Sequence, residues 1–237
     1  LKDGCYDLDG RRYALRIHGL APYTDFSCTA HTGDTLELSM QDTPESLAQY
    51  PRRFRFSVRF QVSGNRLAVT YRVENRNERP MYFAVGGHPG FRVPLAAGAA
   101  FSDYRLRFSA PCSPLRVGFT DDVLVSGEDT SYPLEDGCIL PLHHELFDDD
   151  AIILRGMTRE VTLESPRDHH AVTVSCPDMP YLGFWHMPHT DAPYVCIEPW
   201  SSLPGRAGAV TDLAAQDDLI PLAPGAEYTN RWSITVK

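Results

Sequence analysis

The sequence predicts an all-β fold, an antiparallel β-sandwich with very little helix. Three observations carry this. Apolar residues alternate with polar ones in many short runs, the period of strands with one buried face. Turn signals built on Gly, Asp, Asn and Pro recur every ten residues or so. Helix signals are few, the best of them in residues 41–49. The 237 residues suit one large all-β domain, read here as 1–237.

The first hairpin lies within residues 1–17, where Tyr6 and Leu8, then Tyr13, Leu15 and Ile17, alternate around the turn Asp9-Gly10; His18-Gly19 closes it. Residues 26–39 give two short strands about Thr32-Gly33-Asp34. In the helix candidate, Thr43 is the cap, Pro44 the first helical residue and Glu45 lies in the first turn. Tyr50-Pro51 ends it. A clear hairpin follows: Phe54, Phe56, Val58, Phe60 and Val62 alternate outbound, and Leu67, Val69, Tyr71 and Val73 return after Ser63-Gly64-Asn65.

Met81, Phe83 and Val85 mark the strand that organises the chain. It breaks at Gly86-Gly87 and presents His88, whose backbone Pro89 biases toward an extended form. Residues 104–108, 151–154, 160–163, 171–176, 182–185 and 194–197 read as further strands, and 228–236 as the closing one. Residues 117–125 and 131–142 are weakly patterned, and 211–216 reads as a single helical turn.

Composition bounds the partners. A net charge of −9 disfavours nucleic acid and anionic membranes, which are bound through clustered Lys and Arg. No apolar run is long enough to cross a bilayer as a helix. The six cysteines form no C-x-x-C pair and read as free core thiols in a reducing, cytoplasmic setting. Neither a G-x-G-x-x-G fingerprint nor a phosphate-binding loop is present, so no nucleotide cofactor is expected.

Two side chains stand out chemically. His88 follows a glycine pair that leaves room for a ligand, and Glu198 follows the apolar run Tyr194-Val195-Cys196-Ile197, where an ionised carboxylate is costly unless paired or used. Trp200 shares the Glu198 face of an extended strand, and an acid beside an indole suits a sugar: the acid takes hydroxyls, the ring the C–H face. His18 is a third candidate; Asp148, Asp149 and Asp150 could lend a carboxylate. The pairs His143-His144 and His169-His170, and the run from His186 to His189, do not fall at dependable ligand spacing, so no metal is expected. A histidine and a glutamate in matching strand-end contexts indicate acid/base work without a cofactor.

In this order, the motifs DG-RRY, HisGly at 18–19, Tyr50-Pro51, GGHPGF at 86–91, DDAIIL at 149–154, LGFW at 182–185 and APYVCIEPW at 192–200 make the chain resemble the aldose 1-epimerases, or mutarotases, of the galactose mutarotase-like β-supersandwich group. The resemblance implies an isomerase of carbohydrate metabolism that acts on a small aldose sugar without a cofactor. In that reading Glu198 is the general base at the anomeric hydroxyl and His88 the general acid at the ring oxygen. His18, Asp149 or Asp150, Trp185 and Trp200 bind the sugar. Two alternatives remain beside it: a non-catalytic carbohydrate-binding or regulatory module, and a sugar-phosphate 1-epimerase clamping phosphate through Arg52 or Arg53. The chain departs from close relatives at Pro22, where they carry a sugar-contacting arginine, and at Arg52, where they are apolar. Relatives also carry about two more strands upstream of Leu1, so the resemblance implies a domain lacking its N-terminal strands, with one sheet edge uncapped.

Overall fold

A computed structural model describes all residues from Leu1 to Lys237. Two large sheets face each other. The nine-stranded sheet runs, in spatial order, Ile139–Pro141, Arg105–Phe108, Glu160–Glu164, Ala171–Ser175, Glu227–Val236, Arg66–Asn75, Phe54–Ser63, Thr35–Gln41 and Ser27–His31. Every pairing in it is antiparallel. The six-stranded sheet runs Thr130–Ser131, Leu115–Arg116, Ile152–Arg155, Tyr181–Trp185, Tyr194–Trp200 and Gly90–Arg92. Smaller sheets join Thr211–Asp212, Cys5–Leu8 and Arg11–Ala14, and Ile220–Leu222 with Met81–Phe83.

The alternation read from the sequence decides which side chains meet between the layers. Leu182 and Phe184, and Val195 and Ile197, point from the six-stranded sheet into the main core, where they join Leu106, Phe108, Val161, Leu163 and Trp232 of the other sheet. The strand residues between them, Gly183, Cys196 and Glu198, therefore face away from that core. A second core gathers Tyr6, Leu8, Met40, Tyr50, Phe54, Val73, Met81, Leu213 and Leu222. The phenolic hydroxyls of its tyrosines stay satisfied: Tyr6 donates to the Gln49 carbonyl and Tyr50 to that of Tyr82.

The helix forms at Pro44–Gln49 with a reciprocal cap: Thr43 Oγ1 accepts from the Ser46 amide, and Ser46 Oγ accepts from that of Thr43. Three expectations need correction. Residues 211–216 hold no helix; Thr211–Asp212 is a strand lying parallel to Tyr6–Asp7, because pairing with a buried partner outweighs local helix preference. Glu198 does not follow its strand but lies inside Tyr194–Trp200. All six cysteines are free, yet only Cys176 and Cys196 are buried, and Cys28 sits exposed on the outermost strand. No helix is long and apolar enough to cross a membrane.

Candidate active site

The site is built around the Tyr194–Trp200 strand. Glu198 pairs with Gly183, and Cys196 lies between Gly90 on one side and Trp185 on the other. A Cβ at Gly183 would sit 3.4 Å from both the Glu198 Cβ and the Trp200 ring, which shows how closely the two strands enclose the carboxylate. Pro199 has no N–H to donate, and its carbonyl accepts from the Gly87 amide at 3.0 Å. Gly86 bridges to Trp200, and its carbonyl accepts from the Tyr71 hydroxyl at 3.1 Å. The glycine pair is thus pinned between Trp200 and Trp232: a Cβ at Gly86 would lie 3.0 Å from the first ring and one at Gly87 2.8 Å from the second. His88 stands on that fixed segment, and the Pro89 carbonyl beyond it accepts from the Ile197 amide.

The result is a close acid–imidazole pair. His88 Nε2 lies 3.4 Å from Glu198 Oε1, with the histidine side chain 50% exposed and the glutamate 4%. That separation exceeds a good hydrogen bond, so neither group is locked to the other. Burial pushes the Glu198 carboxyl up to about 7; the Trp200 indole N–H opposes the rise and the charge of Asp150 adds to it. Burial holds His88 below the ordinary imidazole value, with the neighbouring His18 adding to the fall. The Glu198 carboxyl therefore exchanges its proton near neutrality.

The other expected residues fall as follows. The His18 ring stands edge-on to His88 with centroids 6.3 Å apart, and its backbone is left-handed, φ 62°. The Trp185 ring lies on another side of His88 at 5.9 Å. Its Nε1 donates to Asp150 Oδ1 at 3.0 Å; Asp149 and Asp150 are both exposed, and Asp150 is the one bonded to this ring. Trp200 packs over Gly86 and Gly183 beside Glu198.

Arg52 is buried away from a clamp role. It donates to Asp9, to the Pro80 carbonyl and to the Pro51 carbonyl. Arg53 is exposed beside Asp42. Pro22 lies in the single turn Ala21–Tyr23.

One feature escaped the sequence reading. His144 Nδ1 and His186 Nε2 meet at 3.1 Å among Phe101, Phe147 and Tyr194, with His186 fully buried and its Nδ1–H donated to the Met187 carbonyl. The partners lie 42 residues apart, so no local spacing announces them. The bond ties the turn His144–Phe147, which leads to Asp150, to the end of the strand carrying Trp185.

The chain is similar to known proteins in sequence and in fold. The family model described as aldose 1-epimerase matches residues 1–235. Protein LacX of Lactococcus lactis subsp. lactis, in plasmid and chromosomal forms, is 31% identical over 193 residues, which cover 80% of this chain. The chain spans 64% of the length of these curated relatives. A solved galactose mutarotase related enzyme from Lactobacillus acidophilus superposes with a TM-score of 0.92 at 29% identity, over 100% of this chain and 79% of its own. A galactose mutarotase-like protein from Lactobacillus casei ATCC 334 gives 0.90 at 29%, over 99% and 81%.

Proposed function

The chain belongs to the aldose 1-epimerase family, and on that premise we propose that it interconverts the α and β anomers of a free hexose by opening and reclosing the sugar ring. The observation that carries the reading is the pair itself: a buried carboxyl that ionises near neutrality, 3.4 Å from a half-exposed imidazole.

Glu198 takes the proton of the anomeric hydroxyl while protonated His88 delivers one to the ring oxygen. The bond between C1 and the ring oxygen breaks, and C1 becomes an aldehyde. Rotation about C1–C2 presents the other aldehyde face. The C5 hydroxyl then adds to C1, giving its proton back to His88 as the new anomeric oxygen recovers one from Glu198. Each group ends as it began, which requires two groups able to work in both directions. His18, Asp150, Trp185 and Trp200 surround the pair with hydrogen-bonding groups and flat ring faces, the two surfaces a pyranose offers. The buried commitments of Arg52 weigh against phosphate as part of the substrate.

Polarimetry on freshly dissolved α-D-glucose and α-D-galactose tests this. The protein accelerates the decay to equilibrium rotation, and Glu198→Gln and His88→Asn each lose at least about a hundredfold of that rate. Near-normal epimerisation in either variant would overturn the assignment.

A further inference from the structure

The strand that carries Glu198 also aims a thiol at the site, one that the proton transfers leave unused. Cys196 lies two residues before Glu198, on the same face, and belongs to neither large core, whereas Val195 and Ile197 on the opposite face fill the main one. The His88 ring nitrogen, the Cys196 sulfur and a Glu198 carboxylate oxygen all lie within 4.8 Å of one another. We propose that His88, Cys196 and Glu198 form a binding site for a thiophilic divalent cation, zinc above all, and that the bound ion closes the site to sugar.

Donor type selects the ion. One nitrogen, one sulfur and one oxygen suit zinc, whereas magnesium and calcium require oxygen throughout. Bond lengths of about 2.0–2.3 Å in a tetrahedron place ligand atoms roughly 3.3–3.8 Å apart. The edge between His88 and Glu198, 3.4 Å, already has that length. The thiol needs to approach by about 1 Å, within the reach of a side-chain rotation and a small shift of the half-exposed His88 ring. Of its two cross-strand neighbours, Gly90 puts no side chain in the way, and Trp185 flanks it on the other strand. Two ligands sit on a rigid strand, at 4% and 3% exposure, and the third closes over them from the open side. Three protein ligands leave a fourth position for water. On coordination the thiol proton passes to solvent.

Closure of the site rests on the reading that His88 and Glu198 move protons, because the ion takes up both lone pairs. Binding itself does not depend on that reading. Cobalt(II) is therefore added to metal-free wild type, Cys28→Ser, Cys196→Ala and Cys196→Ser. One equivalent gives a thiolate-to-cobalt band in wild type and in Cys28→Ser, and the band disappears in both Cys196 variants. Zinc, titrated against a chromophoric chelator, binds Cys196→Ala at least about tenfold more weakly than wild type. Zinc also halts wild-type epimerisation, while Cys196→Ala, compared with its own metal-free rate, resists zinc.

No band in wild type, or a band that Cys196 replacement leaves intact, overturns the proposal. If neither Cys196 variant folds, Cys28→Ser decides: the band persists there or the site is absent, since no other three donors converge in this way. A protein that shows the band without epimerising sinks the proposed function and leaves the metal site standing.

Discussion

At the scale of single residues, the site balances two opposed costs. Glu198 ionises near 7 because burial disfavours its charge; His88 titrates low for the same reason. In the proposed mechanism the working pair, ionised glutamate with protonated histidine, is therefore the minority arrangement of one shared proton. Epimerisation should follow a bell in pH, peaking between the lowered histidine value and about 7. A rate still flat above about pH 8 would contradict this. Asp150 helps to raise the Glu198 value, so Asp150→Asn should move the alkaline limb to lower pH, while its side-chain oxygen can still accept from Trp185.

The same burial sets a stability prediction. A carboxyl raised from 4.5 to about 7 leaves the folded state holding an extra proton between those values. Stability is full below the lower value and declines as pH rises through the higher one, by roughly 3 kcal/mol. Glu198→Gln cannot ionise, so it should melt higher than wild type above pH 7, and the difference should vanish near the ordinary glutamate value. Melting temperatures of the two proteins across pH check this; a variant less stable at alkaline pH would refute it.

At the scale of elements, the chemistry is held by close backbone approach. The segment Gly86-Gly87 fits between two tryptophans only because it lacks side chains. Gly87→Ala forces its methyl to 2.8 Å from the buried Trp232 ring and should cost about 1–3 kcal/mol in a denaturant titration. An unchanged midpoint would show that the segment has slack. This element was legible in the sequence because glycine pairs and prolines are local signals. The alternating runs were legible for the same reason: period two survives wherever one face is buried. Strands of two residues, such as Leu115–Arg116 and Thr130–Ser131, were not, since their partners rather than their own composition make them strands. Glu198 read as lying beyond its strand because Pro199 looks like a terminator; the donor missing from proline is tolerated there because its carbonyl still accepts from Gly87. The His144–His186 bond and the approach of Cys196 to His88 are products of the fold, invisible until distant segments meet.

At the scale of the whole molecule, the two large cores are not separate modules. The Arg66–Asn75 strand sends Val69 and Tyr71 into one and Val73 into the other, and Phe56 and Val85 pack against both. We propose that residues 1–237 unfold as one cooperative unit. Fluorescence and far-ultraviolet dichroism should then give coincident urea transitions; two resolved steps would overturn this.

Along Tyr194–Trp200 the core-facing Val195 and Ile197 alternate with Cys196, Glu198 and Trp200 on the side of the site. For inheritance this makes the strand a reading frame in miniature. Loss or gain of a single codon between Tyr194 and Ile197 would turn Ile197 toward the site and the glutamate toward the core, whereas a change of two codons would restore the phase. Lineages of such a protein should therefore vary this strand by substitution and leave its length alone, while lengthening and shortening the turns around it.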